Sequence, residues 1–447
     1  MAFQRFRGGI YPRGFKYLSK ASPIKNLPLP QKVTIPLLQH TGAINYPLVK
    51  IGDLVKKGQK IGDNKKFISA PVHSSISGKV IAIKEFFTPL GKKVPSIIIE
   101  SDNLDEEFLL DKMDWEKESI ESIKGRIRES GVVGLGGAAF PTAVKLSPPG
   151  EKKIDTAILN GCECEPYLTA DYRLMVEKPE EVLEGFQIIL KILGVKKGYI
   201  GIEDNKPEAI KQLRVQSDKV VARDKVPKQS LFSIKIVVLP TKYPQGAEKQ
   251  LIKAITHREV PSGGLPMDVG VVVQNVSTAL AIKESVVDGK ALMERVVTVS
   301  GPVVKKPGNF RVRIGTPISE LIVASGGLPS DTERIIIGGP MMGIAQWTTE
   351  IPVTKGTCGI LLLPKEKFFK EEIEPCIRCG KCIEICPMNL LVAEISRYAE
   401  NKDWKSVKEL NVLDCMECSA CAYVCPAKRP IVQYIKWAKE QLKVQNQ

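Results

Sequence analysis

Cys376-Ile-Arg-Cys379-Gly-Lys-Cys382-Ile-Glu-Ile-Cys386-Pro387, and then Cys415-Met-Glu-Cys418-Ser-Ala-Cys421-Ala-Tyr-Val-Cys425-Pro426, decide what the last part of this chain must be. Both read C-x2-C-x2-C-x3-C-P. Thiolates at that spacing wrap three corners of a cubane, and where two such runs occur the fourth Cys of each ligates the other cluster. The expected ligands are therefore Cys376, Cys379, Cys382 and Cys425 for one [4Fe–4S] cluster, and Cys415, Cys418, Cys421 and Cys386 for the other. Structural zinc also uses C-x2-C pairs, but four ligands suffice for zinc, and it explains neither the third Cys nor the proline. Two clusters this close form a wire, and they imply a reducing compartment.

The rest of the composition is ordinary. The chain has 447 residues, 43% hydrophobic and 26% charged, with a formal net charge of +15. At ~150 residues per domain this means about three domains. No apolar run approaches the ~18 residues of a membrane span; Ile234–Leu239 and Ile360–Leu363 are strand-sized. Met1–Gly14 has no apolar core of a secretory signal, and Gly8-Gly9 and the prolines break a transit-peptide helix. Before the first acid, Asp53, stand Arg5, Arg7, Arg13, Lys16, Lys20, Lys25, Lys32 and Lys50, interleaved with Phe3, Phe6, Tyr11, Phe15 and Tyr17. Such an arm suits either an anionic membrane or acidic partner or an extended path across its own protein. No nucleic-acid motif accompanies the charge.

Moving toward the N-terminus, the pattern changes in steps. Glu366–Gln447 is helical and holds eight of the 11 cysteines. Arg295–Gly343 reads as strand, strand, helix, strand, a small β-grasp module. From Ile154, strands (TAILN, KKGYIGIE, IKIVVLP, VGVVVQN) alternate with helical stretches, which argues an α/β domain with a parallel sheet. Asp105–Glu129 has helical apolar spacing. Lys32–Ile83 reads as short strands and turns, and Val49–Gly62 resembles the hairpins of lipoyl-type barrel-sandwich domains, without an isolated carrier lysine at a tip. Of the three remaining cysteines, Cys162 and Cys164 flank Glu163 in a loop, and Cys358 reads as a small buried hydrophobe.

Gly134-Leu-Gly-Gly-Ala-Ala139 matches G-x-G-x-x-A, although a helical stretch rather than a strand precedes it. The loop opens a predicted helix over Phe140–Lys145, whose free N–H groups suit phosphate. Asn160-Gly-Cys-Glu-Cys-Glu-Pro166 follows a strand, at the edge where open α/β sheets bind ligands. Clusters pass single electrons whereas nicotinamide exchanges a two-electron hydride, so a dinucleotide-type site beside two clusters calls for a flavin as converter.

GLGGAAFPTAVK, LNGCECEPYLTADYR, KYPQGAEKQLIKAI and VVVQNVSTALA resemble, in order, the four FMN/NADH segments of the 51-kDa flavoprotein subunit of respiratory complex I. With the barrel-sandwich start, REVPSGGLP at Arg258–Pro266 and the two-cluster tail, the chain resembles the RnfC proteins of Rnf electron-transport complexes over essentially its whole length. The resemblance implies a multidomain α/β and α+β fold: a basic arm (1–31), a barrel-sandwich hybrid (32–104), a Rossmann-like FMN/NADH-binding domain (105–292), a β-grasp (SLBB) domain (293–364) and a helical two-[4Fe–4S] ferredoxin-type domain (365–447). It places Gly134, Gly136 and Lys145 on the flavin phosphate side. Asn160, Cys162 and Glu163 would line the flavin, and Tyr243, Gly246, Asn275 and Thr278 would close the pocket. Gly137, Phe140, Glu165 and Glu248 would face the nicotinamide nucleotide. Leu135 and Ala139 depart from the complex I pattern's Arg and Gly, Ala247 replaces a Glu, and Cys162 and Cys164 replace an Asp and a Ser.

The function so implied is hydride exchange between NAD(H) and FMN, then single-electron transfer through both clusters. The chain would be a peripheral subunit of a membrane-bound, ion-translocating complex at the cytoplasmic face of the bacterial inner membrane, receiving ferredoxin electrons through a partner subunit. A cobalamin reductase shares these parts, but its barrel-sandwich piece lies elsewhere in the chain. The related flavoprotein of the sodium-pumping NADH:quinone oxidoreductase lacks the cluster tail. A non-catalytic relay with a degenerate flavin site is the reading from another class, and flavin content separates it from the enzyme.

Overall fold

The computed structural model describes residues 6–223, 232–364 and 372–445. Phe3 and Arg5 of the arm lie outside them.

The strand Thr156–Asn160 sits at the centre of the site-bearing domain. Its sheet runs in the order Ser233–Leu239, Lys197–Glu203, Thr156–Asn160, Val271–Asn275, every pair parallel. The two inner strands Thr156–Asn160 and Lys197–Glu203 are mostly buried on both sides because both faces are covered. Ala157, Leu159 and Val272 pack with residues of the helices Pro179–Leu193 and Val276–Val286. Ile158, Val271 and Val273 pack against Leu251 and Ile252 of the helix Glu248–Thr256. The chain winds outward from Thr156–Asn160 to Ser233–Leu239, then returns to add Val271–Asn275 on the other side. Asn160 and Asn275 are register partners at the resulting switch point, the place where such sheets take ligands.

The N-terminal module is two facing sheets, Lys32–Pro36, Lys93–Ser101, Gly78–Phe87, Leu54–Val55 and Tyr46–Pro47, Lys60–Asp63, Val72–His73. They close over Val33, Ile35, Leu37, Ile61, Val72, Val80, Ile97 and Ile99. The third module is a six-stranded mixed sheet in the order Ile24–Asn26, Gly308–Arg313, Glu294–Ser300, Gly359–Pro364, Thr332–Ile337, Ile344–Gln346. The helix Ile318–Ala324 packs on it through Ile318, Leu321 and Ile322. In the last module the helices Val392–Glu400, Trp404–Glu409 and Ile431–Gln445 share a core with Cys386, Cys421 and Cys425.

Lys355 joins three of these modules. Its buried ammonium donates to Pro71 O at 2.7 Å and Gly131 O at 2.6 Å, and burial lowers its pKa to about 7.

Two sequence expectations are corrected. Only Ile120–Glu129 of the Asp105–Glu129 stretch is helical, starting at Ser119, whose side chain caps the N–H of Ser122. The part before it is held by backbone bonds instead: Phe108 N to Lys57 O of the N-terminal module, and Leu110 N to Gly289 O and Met113 N to Val286 O within its own domain. The helix after the glycine loop is a single turn, Thr142–Lys145, because Pro141 precedes it and the chain turns away at Leu146. It is too short to present much of a dipole to a phosphate.

The arm takes the second of its two predicted paths. It crosses its own protein, and Ile24–Asn26 becomes the edge strand of the β-grasp sheet, parallel to Gly308–Arg313.

Candidate functional site

Each of the four segments singled out in the sequence is tied to the next. The crest of the glycine loop, Gly136–Ala138, is exposed, and its base is closed by Gly134 N to Phe140 O at 2.8 Å. Gly136 lies so close to Asn275 that a Cβ there would come within 2.6 Å of its Nδ2. Leu135 N donates to Thr278 Oγ1 at 2.9 Å. Asn275 Oδ1 caps the following helix through Ser277 N at 2.8 Å, and its Nδ2 donates to Asp171 Oδ2 at 2.7 Å. The N–H groups of Asp171 and Tyr172 donate to Glu163, at 2.8 and 3.2 Å. In the same loop Asn160 Nδ2 donates to Gly246 O at 2.7 Å. Two residues on, Glu248 holds Lys145 Nζ at 2.6 Å, which returns to the glycine loop. The ring is complete. It stands on the carboxyl edge of the parallel sheet at the switch point.

Most predicted residues therefore converge, but two side chains sit differently from expectation. The Cys162 thiol is buried beneath the loop, 3.6 Å from Gly201 O, and burial raises its pKa well above the ordinary value. The Glu165 carboxylate reaches across to the β-grasp module, where the N–H groups of Met341 and Met342 donate to it at 3.1 and 2.9 Å. Burial raises the pKa of both Glu163 and Glu165 to about 7, against the pull of Lys16 on each. Phe140 is half-buried beside the crest. Cys358 packs with Tyr167, Leu168 and Leu361 as a small hydrophobe, and burial pushes its thiol up to about 12.

Several ring residues carried no signal in the sequence. Asp171 joins Asn275 to Ser277, yet it looks like an ordinary first-turn acid. The buried Arg295 donates to Leu135 O at 3.1 Å and Thr357 O at 3.2 Å. Lys16 donates to the carbonyls of Glu163, Glu165 and Leu168 at 2.7, 2.9 and 2.6 Å. Under the loop Glu203 and Lys206 form an ion pair at 2.8 Å, each 1% exposed. The amides Gln245 Nε2 and Gln274 Nε2, next to Gly246 and Asn275, are buried without partners among the described residues. An unmet buried donor costs about 1–3 kcal/mol, and a flavin bound in the ring would offer acceptors to such groups.

The cysteine runs repeat one backbone. In the first, Arg378, Gly380 and Asn389 are left-handed, with φ of 56°, 74° and 54°. At the matching places in the second, Glu417, Ser419 and Lys428 have φ of 59°, 62° and 49°. Non-glycine residues adopt this region at a cost of order 1 kcal/mol each, so five of them held in register point to a shape imposed by what the loops enclose. Backbone amides already point at sulfur: Glu417 N lies 3.4 Å from Cys415 Sγ, and Leu390 N 3.4 Å from Cys386 Sγ. Burial raises the thiol pKa of Cys382, and the neighbouring thiols that add to the rise are Cys425, Cys376 and Cys379. For Cys415, Cys418 and Cys421 burial again leads, and each has Cys386 among its neighbours. Cys425 is thus a neighbour of the first run and Cys386 of the second, the arrangement that an exchanged fourth ligand would call for.

The ring of side chains and the cysteine loops meet at Tyr243. This tyrosine is 1% exposed, and its hydroxyl donates to Cys418 O at 2.8 Å. It shares a buried apolar cluster with Ile10, Cys418 and Ala420, against which Cys164 and Met416 pack.

Comparison with known proteins agrees in order and extent. Residues 4–104 match the RnfC barrel sandwich hybrid domain, 127–284 the Nuo51 FMN-binding domain, 296–345 the SLBB domain and 375–428 the 4Fe-4S dicluster domain. The RnfC protein of the proton-translocating ferredoxin:NAD(+) oxidoreductase complex of Clostridium ljungdahlii is 48% identical over 98% of this chain and 93% of its own. Its counterpart in the Na(+)-translocating complex of Acetobacterium woodii is 45% identical over 98% and 97%. The chain belongs to the RnfC family. Among solved structures, an NAD+-reducing [NiFe]-hydrogenase in the H2-reduced state superposes with a TM-score of 0.54 at 18% identity, over 74% of this chain and 64% of that one. It shares the fold. RnfC family membership also fits the absence, among the described residues, of any helix long and apolar enough to cross a membrane, as in a peripheral subunit.

Proposed function

We propose that this chain is the NAD(H)-facing electron-transfer subunit of a membrane-bound, ion-translocating ferredoxin:NAD+ oxidoreductase complex, docked at the cytoplasmic face of the membrane. The observation that carries this is the closed ring on the sheet edge, joined through Tyr243 to the backbone of Cys418. FMN bound there supplies the exchange between a two-electron hydride and single electrons, and the two [4Fe–4S] clusters supply the conducting path.

The chain's own residues hold and orient. Gly134, Gly136 and Lys145 take the phosphate side, with Lys145 fixed by Glu248. Asn160 and Glu163 set the flavin wall, and Cys162 contributes its main chain. Tyr243, Gly246, Asn275 and Thr278 close the pocket. Gly137, Phe140 and Glu248 face the nicotinamide nucleotide, and Glu165 holds the β-grasp turn against the loop. Cys415, Cys418, Cys421 and Cys386 ligate the cluster nearer the flavin. Cys376, Cys379, Cys382 and Cys425 ligate the farther one, which is the exit toward a partner subunit because Cys376 and Cys379 are exposed.

The test is anaerobic purification with iron, sulfide and flavin measured, followed by NADH. About eight iron, one FMN and bleaching of both chromophores support the reading. Eight iron with no flavin bound after FMN is supplied, and no bleaching, leaves a relay subunit and removes the enzyme.

A further inference from the structure

We propose that the N-terminal arm is a strap that fixes the spacing between the flavin loop and the nearer cluster, with Gly8, Gly9 and Lys16 as its positioning residues. The inference rests on the function proposed above and adds residues from outside the flavin and cluster domains.

At the cluster end, Gly9 N donates to Ile385 O at 2.8 Å, one residue before the proposed ligand Cys386. A Cβ on Gly8 would lie 2.6 Å from Ile385 O and 2.8 Å from Cys386 O, and one on Gly9 would lie 2.7 Å from Tyr243 O. Both glycines are left-handed, with φ of 71° and 78°. The two therefore allow a backbone-to-backbone approach that no side chain permits. Ile10 then pairs with Tyr243 through both backbone bonds, at 2.8 and 2.9 Å. Lys242 Nζ donates to Phe6 O at 2.9 Å and lies 4.2 Å over the Phe6 ring.

At the flavin end, Gly14 O accepts from Tyr167 N at 2.7 Å, and Phe15 stacks on Tyr167 with ring centroids 4.7 Å apart. Lys16 spends all three ammonium hydrogens on the carbonyls of Glu163, Glu165 and Leu168, the full donor capacity of a lysine. Separating the three carbonyls would break two of the three hydrogen bonds of the ammonium, so the loop that carries Glu163 is pinned. One short piece of chain thus grips the backbone beside a cluster ligand and the backbone of the flavin wall. Electronic coupling between redox centres decays steeply with their separation, so a strap of this kind controls the rate of transfer between them, not the hydride step.

Two variants of the full chain test this, Gly8→Ala and Lys16→Met, each reconstituted and mixed with NADH while flavin and cluster bleaching are followed separately. In Gly8→Ala, flavin bleaching keeps the wild-type rate and cluster bleaching slows severalfold. Lys16→Met slows cluster bleaching too and weakens FMN binding. Hydrogen exchange at Tyr243–Gly246 and Ile385–Cys386 rises in Gly8→Ala, a readout that needs no turnover. A lesion that merely destabilised the fold would lower iron content or both rates together, and that outcome counts against the strap, as does cluster bleaching at the wild-type rate in both variants. Failure of the underlying function shows instead in the wild-type chain, as flavin that does not bind.

Discussion

The two cysteine runs are near copies in sequence and backbone, yet the molecule treats them differently. Around Cys418 the loop is buried against Tyr243 and Ile10. Around Cys376 and Cys379 the equivalent loop is open to solvent, with Ile373 and Ile377 exposed beside it. Local sequence specifies the cage, and tertiary packing specifies its neighbours. Because cluster potential depends on solvent exposure and hydrogen bonding, one motif used twice gives a wire with two distinct ends.

The largest effects should come from breaking the two cages one at a time. Cys421→Ser removes a proposed ligand that also belongs to the core of the last module. Iron should fall from about eight to four or fewer, NADH should no longer bleach any cluster, and the thermal transition of the module should drop. Cys376→Ser touches an exposed ligand. Iron should fall to about four with the remaining cluster still bleached by NADH. Equal behaviour of the two variants would remove the distinction between the near and far cluster.

Much of this was legible in advance, and the reason is chemical. Cluster ligation fixes spacing in sequence, so the two-cluster domain could be read from the cysteine runs, and a 4Fe-4S dicluster domain matches there. The parallel sheet announced itself through apolar strands between helices, and Asn160 and Gly246 stand in segments with a recognisable order. What could not be read were contacts made by unremarkable residues across long sequence separations. Lys16 looked like one basic residue of an arm, and its three carbonyl partners lie some 150 positions away. Asp171 looked like a helix-start acid. The opposite failures share a cause: Cys162 and Glu165 were expected to face the cofactor, but residue type does not tell which way a loop side chain turns. The stretch before Ile120 has helical apolar spacing, but Leu104, Phe108 and Leu109 stay exposed, and its backbone bonds go to Lys57, Gly289 and Val286 rather than along a helix.

Intermediate effects should come from the joints between ring and cage. Asp171→Ala leaves Asn275 Nδ2 and Ser277 Oγ without their acceptor. At about 1–3 kcal/mol for a buried polar group left unsatisfied, FMN affinity should weaken about tenfold or more, measured by quenching of flavin fluorescence on titrating the flavin-free protein, with iron content unchanged. Tyr243→Phe removes only the hydroxyl bond to Cys418 O. Its cost should be about 1 kcal/mol, read as a small fall in the thermal transition, together with slower cluster bleaching at an unchanged rate of flavin bleaching. If Asp171→Ala binds FMN as wild type does, the ring is not the flavin site.

The smallest effect concerns protons and tests the flavin wall alone. Burial raises Glu163 from an ordinary 4.5 to about 7, and the groups facing it are Lys16 and Lys206, which oppose the rise, and Asp171, which adds to it; Lys206 is in turn paired with Glu203. A carboxyl raised on folding binds more protons in the folded than in the unfolded chain between those two values, so stability falls as pH increases across that window. Its contribution is fully present below about 4.5 and gone above about 7. Glu163→Gln cannot titrate, and its amide still accepts from the N–H of Asp171 or Tyr172. The thermal transition of the variant should therefore vary less with pH between about 4.5 and 7 than that of wild type, while Glu165→Gln should flatten the same window separately, since its carboxyl is also raised to about 7. Identical profiles for wild type and Glu163→Gln would mean that Lys16 holds Glu163 ionised throughout, and that the wall carries a fixed charge instead of a proton site.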